Sequence, residues 1–267
     1  MLTIKNYIRP ETMEEAYNLC QKRSNVVLGG MLWLKLSNRN VVNAIDLCNL
    51  GLDWITEEED CYRIGAMVSL RTLEMHEELN RMTQGAFKEA LRHIVGVQFR
   101  NVATLGGSVY GRFGFSDVYT LLQVLEAKVC LYKQGELSLE EFALIPRKTK
   151  DILTEIIIPK KPRKVAYLSQ RNTKTDFPAL ACAVCETEDN ILCAVGARPS
   201  LASLVKEDKE IFKDGITEES AVMFGNKVAD SFKFDSNLRG SKEYRKKVCS
   251  VLVKRGIMSF VEVDYAD

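Results

Sequence analysis

The sequence predicts an α+β protein: two small α/β units, then an antiparallel sheet backed by helices. Short apolar runs alternate with capped helical patterns over the first half of the chain. A basic segment at 160–164, beside Pro159 and Pro162, then interrupts it. Three strand patterns and two helical ones complete the sequence. We expect a first domain over residues 1–162, with subdomains of about 1–52 and 53–162, and a second over 163–267.

The first unit opens on a helix, with Thr12 and Glu15 at capping-box spacing and Met13, Ala16, Tyr17 and Cys20 recurring on one face. A short strand, Val26–Leu28, ends in Gly29-Gly30, and after a turn of helix a second strand covers 41–47. The next unit holds a strand over 62–68, Ser69 as a helix cap, an Ala- and Leu-rich helix over 86–95, and a glycine-dense stretch at 104–115. Ser116-Asp117 caps an apolar helix over 118–125, and strands at 128–132 and 153–158 close the unit. Beyond the break, 165–170, 179–187 and 191–197 read as a three-stranded antiparallel meander, and Glu218–Ser231 and 242–255 as helices.

The 267 residues carry 37 Lys and Arg against 36 Asp and Glu, which gives no basic excess for nucleic acid as the main partner. The longest apolar run, 179–185, falls far short of the roughly 18 residues of a membrane span. No signal-peptide core precedes the first helix, so we expect a cytoplasmic protein. The eight cysteines are dispersed in apolar stretches and read as reduced core thiols. Cys182 and Cys185 lie three apart on a strand and so face opposite ways; with only His76 and His93 elsewhere, no metal site is expected.

Two Gly-Gly pairs, Gly29-Gly30 and Gly106-Gly107, are each read as closing an apolar strand just before a helix. Glycine permits positive φ and close backbone approach, so successive N–H groups can converge on an anion. The Gly-x-Gly-x-x-Gly fingerprint and the P-loop are both absent. A single such pair is most often a tight turn; the two together with Ser116-Asp117 suggest a nucleotide site, without saying which nucleotide.

Here the residues reach a family. The run Val26 to Lys35 (VVLGGMLWLK) resembles the first flavin-binding loop of the FAD subunits of molybdenum hydroxylases. Arg100 to Ser108 (RNVATLGGS) resembles their RN-x-AT-[IL]-GG-[NS] motif, and Ser116-Asp117 their SD pair. The run Ile152 to Pro159 resembles their IL-x-E-I-x-IP strand, and Asp176 to Leu180 the segment opening their C-terminal domain. The likeness covers nearly the whole chain in the family's order, and Leu50 to Trp54 with Arg63 to Met67 is most like the stand-alone medium subunits of bacterial purine-type hydroxylases.

The resemblance implies a vanillyl-alcohol-oxidase-like FAD fold of the PCMH type, followed by a small α+β domain. It implies FAD held by Val27, Leu28, Gly29, Gly30, Met31, Leu32, Trp33 and Leu34 on one side and by Thr104, Leu105, Gly106, Gly107 and Ser108 on the other. Ser116 and Asp117 would bond the cofactor's polar groups, and Ile152 or Leu153, with Leu168, would pack near a ring. The implied partners are an iron-sulfur subunit and a molybdopterin-binding large subunit, with NAD or another compound as electron acceptor. Because the flavin carries the redox chemistry, no catalytic acid or base is named.

The chain departs from the family at three places. Met31 and Leu32 stand where a Thr or Gln and a polar residue are usual, Ser108 replaces the commoner Asn, and a Lys is replaced near Ser169 or Gln170. The first departure removes side-chain bonds and leaves the backbone amides. Two other readings stand beside the leading one: a scaffold member of the same fold that no longer holds FAD tightly, and a stand-alone flavin oxidase.

Overall fold

A computed structural model describes residues 1–261; the last six residues of the expected second domain lie outside the described residues. In chain order the elements are β1 (Thr3–Ile8), α1 (Met13–Cys20), β2 (Val26–Leu28), β3 (Asn40–Asp46), β4 (Ile55–Glu57), β5 (Cys61–Gly65), α2 (Leu70–Met75), α3 (Glu77–Met82), α4 (Ala86–Leu91), α5 (Val97–Val102), α6 (Leu105–Tyr110) and α7 (Asp117–Val124). There follow β6 (Lys128–Leu131), β7 (Gly135–Ser138), α8 (Leu139–Leu144), β8 (Leu153–Pro159), β9 (Lys164–Gln170), β10 (Leu180–Glu186), β11 (Asn190–Gly196), β12 (Ser203–Asp208), α9 (Glu218–Ser231) and α10 (Lys242–Met258).

The chain divides into two compact units. Met1–Leu73, Gly96–Arg112 and Glu126–Lys160 form the first; Glu74–Val95, Phe113–Leu125 and the chain from Lys161 onward form the second. The last step between them falls at 160/161, near the expected boundary, and 74–95 and 113–125 pack with the second unit. Every residue of α7 is buried, and it finds its apolar cover on β10 and β11, while α4 packs on β9.

In the first unit, β1, β3 and β2 make a parallel sheet in that spatial order. Only half of the capping box at Thr12 forms: its hydroxyl accepts from Glu15 N–H at 3.2 Å, while the Glu15 carboxylate accepts from Glu11 N–H at 3.0 Å. Ala16 and Cys20 then bury against Ile45, Leu47, Leu52 and Ile152. The sequence reading began at this helix and missed β1, an edge strand whose Lys5, Asn6 and Tyr7 are exposed and which carries little apolar signal. A five-stranded antiparallel sheet, ordered β4-β5-β8-β6-β7, completes the unit around Ile64, Ile156 and Ile158.

The second unit is built on an antiparallel sheet ordered β12-β11-β10-β9. It has four strands, not the expected three. The extra strand, SLVKED, is half exposed and highly charged at its end, and it is fixed by backbone pairing with β11. Cys182, Val184, Cys193 and Val195 face α9 and α10 in one apolar cluster with Phe224, Val228, Leu252, Val253 and Ile257. Among the described residues all eight cysteines are free thiols.

Candidate functional site

The first glycine loop leaves the carboxyl end of β2 in the parallel sheet, the end at which ligand crevices form in such sheets. Gly30 and Met31 are consecutive left-handed residues, at φ 81 and 60°. Two such residues in a row curl the chain so that neighbouring N–H groups point to one side. Among the described residues, the N–H groups of Gly29, Gly30, Met31 and Leu32 donate to no protein acceptor. All four residues are half-buried. Leu28 is buried, Val27, Met31 and Leu34 pack partly into the apolar clusters beneath, and Trp33 meets Phe99 edge-on at 6.2 Å.

The second glycine pair differs from expectation. It follows a helix, α5, not a strand, and it lies in the first turn of α6, where Thr104 is the cap. The Thr104 hydroxyl accepts from Gly107 N–H at 3.1 Å, Leu105 N–H donates to Val68, Gly106 N–H to Ala66, and Ser108 N–H to Thr104. Ser108 Oγ donates to the Thr104 carbonyl at 2.9 Å. These amides are spent inside the protein, so among the described residues the unbonded amides expected of both pairs are found at the first alone.

What the second pair supplies is proximity. A Cβ on Gly29 would stand 2.9 Å from Gly107 Cα, and one on Gly107 would stand 2.8 Å from the Gly29 carbonyl oxygen. A Cβ on Gly30 would stand 2.2 Å from the Val102 carbonyl oxygen, and one on Gly106 2.7 Å from Ala66. The structure thus brings residues 27–34 together with 102–108. The glycines are accounted for by this contact; the unspent amides are not.

Ile152 and Leu153 are core side chains, Ile152 within the cluster of Ala16, Cys20 and Ile45. Ser116, Asp117 and Leu168 belong to the second unit. Ser116 Oγ caps α7, accepting from Tyr119 N–H at 3.1 Å. Asp117 is buried and its Oδ1 accepts from both the Tyr167 hydroxyl and Arg171 Nη2, the latter at 2.5 Å. Burial pushes the Asp117 carboxyl up, opposed by Arg171 and Tyr167; burial and the same carboxylate push the Tyr167 hydroxyl well up. Leu168, on the opposite face of β9, packs against the α9 and α10 cluster, close to Gly256.

Sequence reasoning missed Tyr167 and Arg171. The only local signal was the alternation of β9, which puts Tyr167 on the α7 side, and nothing local pairs it with Asp117. The Arg171 Nε also donates to Ser169 Oγ at 3.1 Å, so a guanidinium stands close to the place where the family's Lys is replaced. Glu58, Asp60 and Cys61 bring potential ligand atoms within 4.8 Å. Burial and Glu58 push the Cys61 thiol up to about 11, so it stays a protonated donor to that carboxylate. No helix among the described residues is long and apolar enough to cross a membrane.

Residues 2–161 match the family model of the FAD binding domain in molybdopterin dehydrogenase. The Escherichia coli (strain K12) protein YgfM is 27% identical over 255 residues, covering 94% of both chains. The nicotine 6-hydroxylase medium subunit of Paenarthrobacter nicotinovorans is 26% identical over 273 residues, covering 94% of this chain and 95% of that one. In structure, a chain of quinoline 2-oxidoreductase from Pseudomonas putida 86 superposes with a TM-score of 0.82 at 18% identity, over 95% of each chain. That last likeness is one of fold.

Proposed function

The chain belongs to the FAD-binding domain family of molybdopterin dehydrogenases, an oxidoreductase family whose cofactor is FAD, and from that premise we propose that it is the electron-transfer subunit of a heteromeric molybdenum hydroxylase. In this reading an iron-sulfur partner delivers electrons, a molybdopterin-binding partner oxidises the substrate, and NAD takes the electrons onward. The substrate class we favour is purine-like, from the likeness at residues 50–54 and 63–67. The medium-subunit relative supports the division of labour, and eight cysteines outside any disulfide support a cytoplasmic location.

The observation that carries the reading is the run of unspent amides from Gly29 to Leu32, locked over residues 102–107 by glycine contacts. A diphosphate needs such donors and little else, and the donor chemistry fits it. Bound FAD supplies the redox chemistry. The chain's own part is to hold the diphosphate at these amides, with 27–34 and 104–108 on its two sides. We propose the FAD-binding domain at 1–162 and the C-terminal domain at 163–267.

An absorbance spectrum of the purified protein, before and after addition of FAD and desalting, tests this. A flavin band at about one per chain, bleached by NADH, is the expected result. A protein that stays colourless with FAD even alongside its partner chains refutes it and leaves the scaffold reading. Flavin reduced by a small substrate without NADH or partners points to the stand-alone oxidase.

A further inference from the structure

We propose that Met31 is a positioning residue, whose apolar side chain anchors the first loop so that main-chain amides alone recognise the cofactor's diphosphate. The inference rests on the reading that this loop takes the diphosphate, and it concerns how the chain manages without the polar side chains that usually follow the glycine pair.

Met31 has two properties that conflict unless something offsets them. Its φ of 60° lies in the left-handed region that side-chain-bearing residues avoid. It nevertheless follows Gly30, itself at φ 81°, and the pair turns the N–H groups of Gly29 to Leu32 away from protein acceptors. The offset lies beneath the loop. Met31 packs with Leu34 against the buried cluster of Leu28, Val41 and Ala44. An unbranched, adaptable side chain suits this position, since a β-branched residue is poorly tolerated at positive φ.

The loop is therefore held from two directions. Gly30 is pressed against the Val102 carbonyl on one side, where no Cβ fits, and Met31 is drawn into the core on the other. Between them the curled segment cannot relax into an ordinary turn that would spend its amides internally. A Thr at 31 would offer a hydroxyl and give up the anchor. Replacement of the usual polar residue thus exchanges a side-chain hydrogen bond for a fixed backbone.

The test uses the full chain and three probes: FAD, ADP as a diphosphate without flavin, and riboflavin as a flavin without phosphate. Met31→Leu should bind all three as wild type does. Met31→Gly relieves the backbone strain but removes the anchor, and Met31→Thr removes the anchor and adds a hydroxyl. Both should lose about tenfold or more in affinity for FAD and ADP, with riboflavin unchanged. Met31→Ala, which keeps a Cβ, replaces Met31→Gly if that variant does not fold.

Met31→Gly binding ADP as well as wild type overturns the proposal, as does Met31→Thr binding it better. A loss shared equally by riboflavin also overturns it, because damage would then extend beyond the loop. If wild type binds neither FAD nor ADP even alongside its partner chains, the diphosphate reading itself has failed, and the anchor with it.

Discussion

Gly30→Ala separates the packing of the glycine loop from its conformational freedom. Two costs arise. Alanine at φ 81° is strained by about 1 kcal/mol. Its Cβ would also stand 2.2 Å from the Val102 carbonyl oxygen and 3.0 Å from the carbon. Both obstacles are backbone atoms, so the two segments must part by about 1 Å, at an overpacking cost of roughly 2 kcal/mol. The expected loss is then about 3 kcal/mol, or roughly 9 °C in melting temperature.

Gly51→Ala is the matched control. Gly51 has φ 60° with nothing within 4 Å of its would-be Cβ, so only the strain remains, about 1 kcal/mol and roughly 3 °C. Thermal melts of the two variants without cofactor measure the difference, and FAD titration should show weakened binding for Gly30→Ala alone. Equal melting losses would refute the claim that Gly29 and Gly30 press on 102–107.

Two further predictions concern the second unit. Arg245 on α10 is 1% exposed and donates to the carbonyls of Ala179, Asp235 and Gly240 and to Asn237 Oδ1, with no carboxylate among them. Arg245→Met should cost about 3 kcal/mol by orphaning those carbonyls, read by urea unfolding; a loss under about 1 kcal/mol would mean that water replaces the guanidinium. The second prediction follows from burial of Asp117, which raises its carboxyl above the ordinary range despite Arg171 and Tyr167. Such a group holds its proton more tightly in the folded chain, so its contribution to stability is complete below the ordinary carboxylate range, about pH 4, and is lost as pH rises through the raised value. Relative to Asp117→Asn, wild type should therefore lose stability as pH rises above about 4; a constant difference would contradict the assignment.

Helix starts were legible because they are local. Thr12, Ser116 and Ser241 each accept from an N–H three residues on, a contact that spacing alone predicts. Edge strands were not. The residues of β1 and β12 are held by pairing with β3 and β11, and their polar side chains give no alternation to read. The second glycine pair was misplaced for a related reason: 97–102 is apolar enough for a strand but folds as α5, ending where Ala103 takes an extended backbone. The glycine residues of the candidate site were visible in sequence, and the left-handed Met31 and the buried contacts of Asp117 with Tyr167 and Arg171 were not, since they depend on residues far along the chain.

The glycines and the amides carry different information. Gly29, Gly30, Gly106 and Gly107 are all required by contact of the chain with itself, so a protein with no ligand would need them equally. That satisfies the reading of a tight turn completely and leaves nothing for a nucleotide to explain. The four N–H groups of Gly29 to Leu32 stand outside that account. They belong to half-buried residues and meet no acceptor among the described residues, while Lys35 N–H two residues past Trp33 bonds back to the Met31 carbonyl. Their partner must come from outside the fold, as water or as an anion. An anion that meets several at once stabilises the first unit by mass action, without rearrangement of the glycine contact that presents them. Residues 29–32 alone therefore call for the diphosphate, and the second pair contributes packing.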